Sequence, residues 1–419
     1  MNKAGRSYMP DSRRKYEITT GASYFYMPGE KVCIYSDVEI DSDVDEEVLR
    51  RACSLLLKRF PYIAVKAEAG EDGDRYILVE NENPFPLLRK NGSIHIGTPE
   101  ANEYLFTVSF SGKHIFTEVF HGLCDGMGYV TVIKALIKAY FEELDGCRYE
   151  CGGIKNVWDA PDEADSVDPF SKKISMDHPF TYKKRPSYSF SDDQIDEDNV
   201  RLYSFSVPEK KLVDYARKYE GGVSGAISLA LARAVDVLAP DNELPINIAC
   251  PNNIRGMLGC MDTLYNCTKS ATYTHSTRLR ELSYDQQLSV LKGQMMIQCS
   301  PEYQIPRFQQ DAEELAQLNA LDTIQAKKDS FKEMKLKTIP IVSYLGKFDM
   351  DELNERIENI RINCKVMGKA GMQNMCLCFK DRCYIYSSCN LRSENYIKMF
   401  ANEMKDFSYD CSEIKRLDF

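Results

Sequence analysis

The sequence has no long hydrophobic run, no excess of basic residues and few histidines. No segment approaches the roughly 18 consecutive apolar residues that a membrane helix requires, and no apolar stretch of a signal peptide follows the positive charges at the N-terminus. Lys and Arg total 53 against 63 Asp and Glu, which gives a formal net charge of -10. This balance argues against a surface that binds nucleic-acid phosphates. We therefore expect a cytoplasmic protein with no membrane span and no nucleic-acid partner.

Cysteine is present in an odd number, 15 residues in all. Without an export signal, these cysteines are expected to be reduced thiols rather than a disulfide framework. The densest group lies in NMCLCFKDRCYIYSSC, whose alternating pattern around KDR predicts a hairpin with cysteines packed as small hydrophobic side chains. Their spacing matches no common zinc module, so no metal site is predicted. The group comprises Cys376, Cys378, Cys383 and Cys389.

The length of 419 residues exceeds the size of a typical single core, so two domains are expected. The composition, with 43% hydrophobic and 28% charged residues, is that of an ordinary globular protein. Between Cys147 and Asp198 the chain turns polar, acidic and proline-bearing, as in WDAPDEADSVDPF. We assign residues 1–160 to an N-terminal lobe, 161–198 to a crossover linker and 199–419 to a C-terminal lobe.

The stretch VFHGLCDGMG, residues 119–128, contains one of only five histidines. The preceding LFTVSFSGKHIFTEVF predicts a hairpin that runs directly into His121, and the following YVTVIKALIKAYFEEL has helical spacing. His121 is therefore predicted in a strand-to-helix loop, where a side chain can be exposed and held in one orientation. Asp125, four residues on, could tune the histidine or hold the loop, and His114 on the strand is expected to be structural.

The remaining patterns predict a second α/β region of mixed order. VRLYSFSVP and LPINIACPNNIR predict strands, GGVSGAISLALARAVDVLA predicts a buried helix with Ser224 as its N-cap, and residues 283–337 are mostly helical in pattern. TIPIVSYLGKFDM returns to strand. Within it, SYLGKF is interpreted as an architectural turn at a strand edge.

The order of these elements and motifs resembles the chloramphenicol acetyltransferase-like superfamily, which includes condensation domains, plant-type acyltransferases and alcohol acetyltransferases. The resemblance extends from about residue 30 to 405 and depends on a helix ending in KRFP, on HGLCDG as the HxxxDG motif, and on the later PNNIR and SYLGKF. It implies an α/β fold of mixed sheets with flanking helices, in which two lobes form a pseudo-dimer around a central tunnel.

The same resemblance implies roles for individual residues. His121 would be the general base, with an acyl thioester entering from one face and the acceptor from the other. Asp125 would point away from the tunnel and pair with Arg255 of PNNIR, and Gly126 would let the next helix begin unobstructed. Cys124 is not expected to be a nucleophile, because the family transfers acyl groups directly.

Three classes of function stay open on the sequence. The first is an O- or N-acyltransferase that uses acyl-CoA as co-substrate, with a small-molecule acyl donor and acceptor and no tightly bound cofactor. The second is a condensation-like enzyme served by a phosphopantetheinyl thioester on an acyl or peptidyl carrier protein. Phe120 stands where condensation domains commonly have a second histidine, which favours the first class. The third is a relative of the fold that binds a ligand or a partner without catalysis.

Overall fold

The computed structural model describes residues 13–16, 22–26, 32–89, 95–171, 185–335, 338–408 and 411–417. The sequence-predicted linker therefore lies partly outside the described residues, at 172–184. Within the described ranges, strands form three sheets of three, seven and five strands, with helices packed on them.

The α-helices are, in chain order, α1 (Ala22–Phe25), α2 (Glu46–Arg59), α3 (Gly126–Asp145), α4 (Glu209–Lys218), α5 (Val223–Leu238), α6 (Arg255–Leu258), α7 (Tyr284–Gln298), α8 (Pro301–Asn319), α9 (Ile324–Lys335) and α10 (Asn395–Ser408). The strands are β1 (Lys15–Tyr16), β2 (Cys33–Ile40), β3 (Val65–Ala69), β4 (Tyr76–Glu80), β5 (Leu87–Arg89), β6 (Phe106–Ser111), β7 (His114–Phe120), β8 (Arg201–Pro208), β9 (Ile246–Asn253), β10 (Thr268–His275), β11 (Ile341–Lys347), β12 (Ile357–Cys364), β13 (Met372–Phe379), β14 (Arg382–Cys389) and β15 (Lys415–Leu417).

The five-stranded sheet has the order β12-β2-β7-β6-β5. Helices α2 and α3 pack against each other beside it, and their buried residues belong to one hydrophobic core with the strands. Helix α2 is capped by Asp45, whose side chain accepts hydrogen bonds from the backbone N–H groups of Glu47 and Val48. Strand β7 lies between β2 and β6 in the interior of this sheet, so the loop that follows it begins from a rigid strand.

The seven-stranded sheet has the order β10-β9-β11-β13-β14-β8-β15. Helices α5 and α10 pack on each other and on the sheet, around a second hydrophobic core. The predicted cysteine hairpin is confirmed as β13 and β14, which pair from Met372–Cys389 to Phe379–Arg382. Its cysteines at 376, 378, 383 and 389 are buried.

One strand of the five-stranded sheet comes from the far end of the chain. Strand β12 pairs antiparallel with β2 over seven residue pairs from Ile357–Ile40 to Cys364–Ile34. A segment beyond residue 199 therefore completes the sheet that carries β7. The lobe boundaries drawn from the sequence stay a prediction. Strand β12 shows that a single sheet contains strands from both the N-terminal and the C-terminal part of the chain.

Two local expectations from the sequence were wrong. Helix α5 begins after Gly222, whose φ of 69° only glycine adopts readily, so Ser224 lies inside the helix and is not its N-cap. SYLGKF is not at a strand edge, because most of it lies in β11, between β9 and β13 in the sheet. A bulge between Tyr344 and Lys347, at Gly346 with a φ of 80°, gives the segment its irregularity.

No single helix in the described ranges has the length and apolar composition to cross a membrane. Helices α4 and α5 satisfy both criteria only when they are taken together, and they meet at an angle of 93°.

Candidate active site

His121 is the first residue after β7, in the five-residue loop that leads to α3. Its backbone is fixed on both sides. The N–H group of His121 donates to the carbonyl oxygen of Val32 at 2.8 Å, and its own carbonyl oxygen accepts from Nδ2 of Asn266 at 2.7 Å. The first contact continues the sheet beyond β2, whereas the second comes from the C-terminal part of the chain. The histidine thus has a fixed backbone although it lies in a loop.

The ring of His121 is stacked on the ring of Tyr24, with centroids 4.7 Å apart and an interplanar angle of 21°. Burial lowers the pKa of His121 below its usual 6.5, against smaller opposing contributions from nearby backbone carbonyls and from the Asp125 carboxylate. Nδ1 is buried and has no partner with hydrogen-bond geometry among the described residues. The ring is therefore mostly neutral at pH 7, and a neutral imidazole can accept a proton.

Asp125 is the N-cap of α3, and its carboxylate is surrounded by donors. One oxygen accepts from the backbone N–H of Gly128 at 2.9 Å and from Arg255 at 2.8 Å. The other accepts from Arg255 at 2.9 Å and from the backbone N–H of Cys267 at 2.9 Å. The structure thus brings Asp125 and Arg255 together in a bidentate pair, with 1% and 4% of their surfaces exposed.

Arg255 is the first residue of the short helix α6, in the segment that connects β9 to β10. Its guanidinium also donates to the carbonyl oxygens of Thr263 and Tyr265, each at 2.9 Å. The ring of Tyr265 stacks on Tyr62 at 4.5 Å, and the Tyr62 hydroxyl donates to the carbonyl oxygen of Leu123 at 2.8 Å. The pair at 125 and 255 is therefore the centre of a wider set of contacts that hold the five loop residues in place.

Two glycines at the start of α3 allow close packing, and they are not equivalent. A Cβ atom at Gly126 would lie 2.7 Å from Cδ2 of Leu345, the end of a flexible side chain in β11. A Cβ atom at Gly128 would lie 2.3 Å from the backbone carbonyl oxygen of Leu264. Backbone moves less easily than the end of a side chain, so glycine is more strictly required at position 128 than at position 126. The HxxxDG motif nevertheless contains only Gly126.

Cys124 and His114 were also singled out in the sequence analysis. Cys124 is buried, and burial raises the pKa of its thiol, so it is not a ready thiolate. His114 lies at the opposite end of β7, where Nδ1 is 2.8 Å from Oδ1 of Asp37. Within the described residues, no group of three or more His, Cys, Asp or Glu side chains has a geometry suited to a metal ion.

The sequence analysis missed three residues that contact the His121 loop. Tyr24 lies in a short helix 97 positions before His121, and Asn266 lies 145 positions after it in a segment without periodic pattern. Gly128 lies two residues after Gly126, and this GMG spacing is the one local signal that could have indicated close packing. The other two become visible only when the chain is folded.

Comparison with known proteins gives no match in sequence and many in structure. No protein-family model and no curated protein matches the chain. The first condensation domain of the CDA synthetase superposes with a TM-score of 0.63 at 12% identity, over 97% of this chain and 100% of that one. The trichothecene 15-O-acetyltransferase TRI3 of Fusarium sporotrichioides gives 0.60 at 10% identity, over 96% of each chain.

A third match is TRI101 of F. sporotrichioides, solved with coenzyme A and T-2, with a TM-score of 0.59 at 11% identity over 95% of this chain and 99% of that one. All three proteins are of the chloramphenicol acetyltransferase-like superfamily. The chain has the chloramphenicol acetyltransferase-like fold. The fold class predicted from the sequence is thereby confirmed, and because the identities are so low, the likeness concerns the fold alone.

The first prediction concerns the pair between Asp125 and Arg255. We expect Asp125→Asn and Arg255→Ala each to lower the free energy of unfolding by about 3 to 5 kcal/mol, because each change leaves a buried charge or donor set without its partner. The double variant should lose much less free energy of unfolding than the sum of the losses in the two single variants. Urea midpoints and melting temperatures of the four proteins measure this coupling, and strict additivity would contradict a direct pair.

The second prediction compares the two glycines of α3. Gly128→Ala should lower the free energy of unfolding by about 1 to 3 kcal/mol or more, since the new methyl group meets backbone. Gly126→Ala should cost less, because the Leu345 side chain can rotate away. Alanine gains similar helix propensity at both sites, so each variant is the control for the other. Equal melting temperatures for the two variants would be inconsistent with the packing described.

Proposed function

We propose that the protein is an acyltransferase that moves an acyl group from an acyl thioester, acyl-CoA, to an alcohol or amine acceptor. The observation that carries this proposal is the His121 ring, whose pKa is lowered by burial, on a loop fastened by Asp125 and Arg255. A neutral histidine at pH 7 suits general-base catalysis. The fold supports the proposal, since proteins that share it include a trichothecene acetyltransferase.

The proposed reaction is direct transfer between two bound substrates. Nε2 of His121 takes the proton of the acceptor hydroxyl or amine while that oxygen or nitrogen attacks the carbonyl carbon of the thioester. The resulting oxyanion collapses, the carbon–sulfur bond breaks, and the imidazolium returns the proton to the departing thiolate. The products are the acylated acceptor and the free thiol. Nε2 is assigned this task because Nδ1 is buried.

Asp125, Gly126 and Arg255 are proposed to support the loop rather than to react. Both carboxylate oxygens of Asp125 already accept two hydrogen bonds each, so no lone pair is left to take a proton from substrate. Arg255 directs its guanidinium to Asp125 and to backbone carbonyls. Gly126 leaves room for Leu345 at the start of α3. The catalytic task therefore falls to His121 alone within this motif.

Acyl-CoA is the proposed donor because TRI101, a protein of the same fold, was solved with coenzyme A. The same structure contains T-2, which supports a small-molecule acceptor here as well. CoA would be a co-substrate that binds and leaves in each cycle, so the proposal includes no tightly bound cofactor.

A carrier-protein-dependent condensation-like reaction is the second candidate. The full-length match to a condensation domain favours it. The two candidates differ in the donor: the first uses the acyl-CoA, whereas the second requires the same acyl group on a phosphopantetheinylated carrier protein. A relative of the fold that only binds a ligand would consume neither thioester when acceptors are present.

The third prediction tests the base. We expect His121→Ala to lower kcat/KM for acyl transfer by about 10² to 10⁴-fold while the protein stays folded, since it loses proton transfer in the transition state. Purified protein is incubated with a panel of acyl-CoA donors and pooled alcohols and amines, and the acylated products are identified by mass spectrometry.

The matched control is His114→Ala, which removes a histidine from the other end of the same strand. This variant should keep the parent rate, because His114 pairs with Asp37 away from the His121 loop. If His121→Ala transferred acyl groups as fast as the parent, the assignment of the base would be wrong.

The fourth prediction tests direct transfer. Incubation with acyl-CoA alone should leave the protein mass unchanged, and Cys124→Ala should retain most activity, because the buried Cys124 thiol has a raised pKa and is a poor nucleophile. Initial rates should follow a sequential pattern, since both substrates must be bound together. A stoichiometric acyl adduct on Cys124 with parallel-line rate plots would establish a covalent mechanism instead.

A further inference from the structure

Two buried cysteines lie close together between α6, which begins with Arg255, and β10. The Sγ atoms of Cys260 and Cys267 are 3.6 Å apart, and each is placed to share a hydrogen bond with the other. Cys260 is 6% exposed and Cys267 is fully buried. Two thiols in contact can be joined by a bond that is about 2.05 Å long, so the sulfur atoms need to approach by only about 1.5 Å.

The backbone of both cysteines is bonded to the pair that holds the His121 loop. The N–H group of Cys260 donates to the carbonyl oxygen of Arg255 at 3.1 Å. The N–H group of Cys267 donates to Oδ2 of Asp125 at 2.9 Å. Between them in sequence lie Thr263 and Tyr265, whose carbonyl oxygens accept from the Arg255 guanidinium. A bond between the two sulfur atoms would thus close a ring of eight residues, and this ring includes the two residues whose carbonyl oxygens accept from Arg255.

We propose that Cys260 and Cys267 are a site of reversible oxidation, at which hydrogen peroxide converts the two thiols into a disulfide. Access for this small oxidant is at Cys260, since its neighbours Gly259 and Met261 are exposed, Met261 by 67%. The proposal does not depend on the proposed acyl transfer, because neither thiol takes part in that reaction.

The oxidation proceeds in two balanced steps. Sγ of Cys260 attacks one oxygen of hydrogen peroxide, the oxygen–oxygen bond breaks, and the other oxygen leaves as water with the thiol proton, which gives a sulfenic acid. Sγ of Cys267 then displaces the sulfenic hydroxyl group, and a second water leaves with the Cys267 proton. Two electrons pass from the thiols to the peroxide, and a dithiol reductant reverses the change. Burial raises the pKa of Cys267, so the second step is slow and the reaction is followed over hours.

The cross-link has a structural consequence that does not depend on activity. It removes conformational freedom from the unfolded chain. It also joins the two ends of the segment whose carbonyl oxygens accept hydrogen bonds from Arg255. We expect the oxidised protein to melt at a temperature a few degrees higher than the reduced protein, and the difference to vanish after treatment with dithiothreitol.

The test is peptide mapping after exposure to hydrogen peroxide. Trypsin cleaves after Arg255 and Lys269, so both cysteines fall in one peptide, GMLGCMDTLYNCTK. The folded protein is treated with peroxide, free thiols are blocked with iodoacetamide, and the peptide is analysed. The expected product has lost two hydrogens and carries no blocking group, whereas oxidation of Met257 or Met261 adds oxygen and is readily distinguished.

The control is Cys267→Ser, which keeps the size of the side chain and cannot form the bond. In this variant the peroxide-dependent rise in melting temperature should be absent, and Cys260 should appear as a sulfenic acid that dimedone traps. The exposed Cys147 reports that the oxidant was active. The proposal is overturned if Cys147 is oxidised while the peptide of the parent protein keeps both blocked thiols, or if Cys260 proceeds to the sulfinic acid without a disulfide.

Discussion

The buried pair between Asp125 and Arg255 is the interaction on which the rest of the site depends. It joins residues 130 positions apart in sequence, and both partners are almost fully removed from solvent. Such a pair contributes little net stability against an apolar replacement, but it is costly to break on one side. Its effect is therefore positional, since it fixes where the first turn of α3 and the loop before it lie relative to the C-terminal part of the chain.

The position of His121 follows from this arrangement. Four contacts fix the loop: the His121 N–H bonds to Val32, the His121 carbonyl to Asn266, the Leu123 carbonyl to Tyr62 and the Asp125 carboxylate to Arg255. A ring held in this way and covered by Tyr24 is desolvated, and desolvation keeps it neutral. The same contacts thus give both the fixed geometry and the protonation state that a general base requires.

The sequence predicted the parts of this site that have a local pattern. The period-2 hairpin and the helical spacing after it located His121 between β7 and α3, and the resemblance to a known superfamily paired Asp125 with Arg255. Asn266 and Tyr24 have no such pattern, because they reach the loop only through the packing of distant segments. Strand β12 was missed for the same reason: its partner β2 lies over 300 residues earlier. The prediction of Ser224 as an N-cap was wrong because a helix can also begin after a glycine with positive φ, as α5 does after Gly222.

The most direct test of the account is the protonation of the His121 ring in the folded protein. With only five histidines in the chain, ¹⁵N-edited NMR can follow each ring through a pH titration, and His121→Gln assigns the signal. The account predicts a pKa for His121 below 6.5, so that the ring is neutral at pH 7 and becomes charged only as the pH falls below that value. It also predicts that the pKa rises in Arg255→Ala, where the ring gains solvent and the Asp125 carboxylate loses its partner. A His121 pKa at or above 6.5 in the parent protein, unchanged in Arg255→Ala, would contradict it.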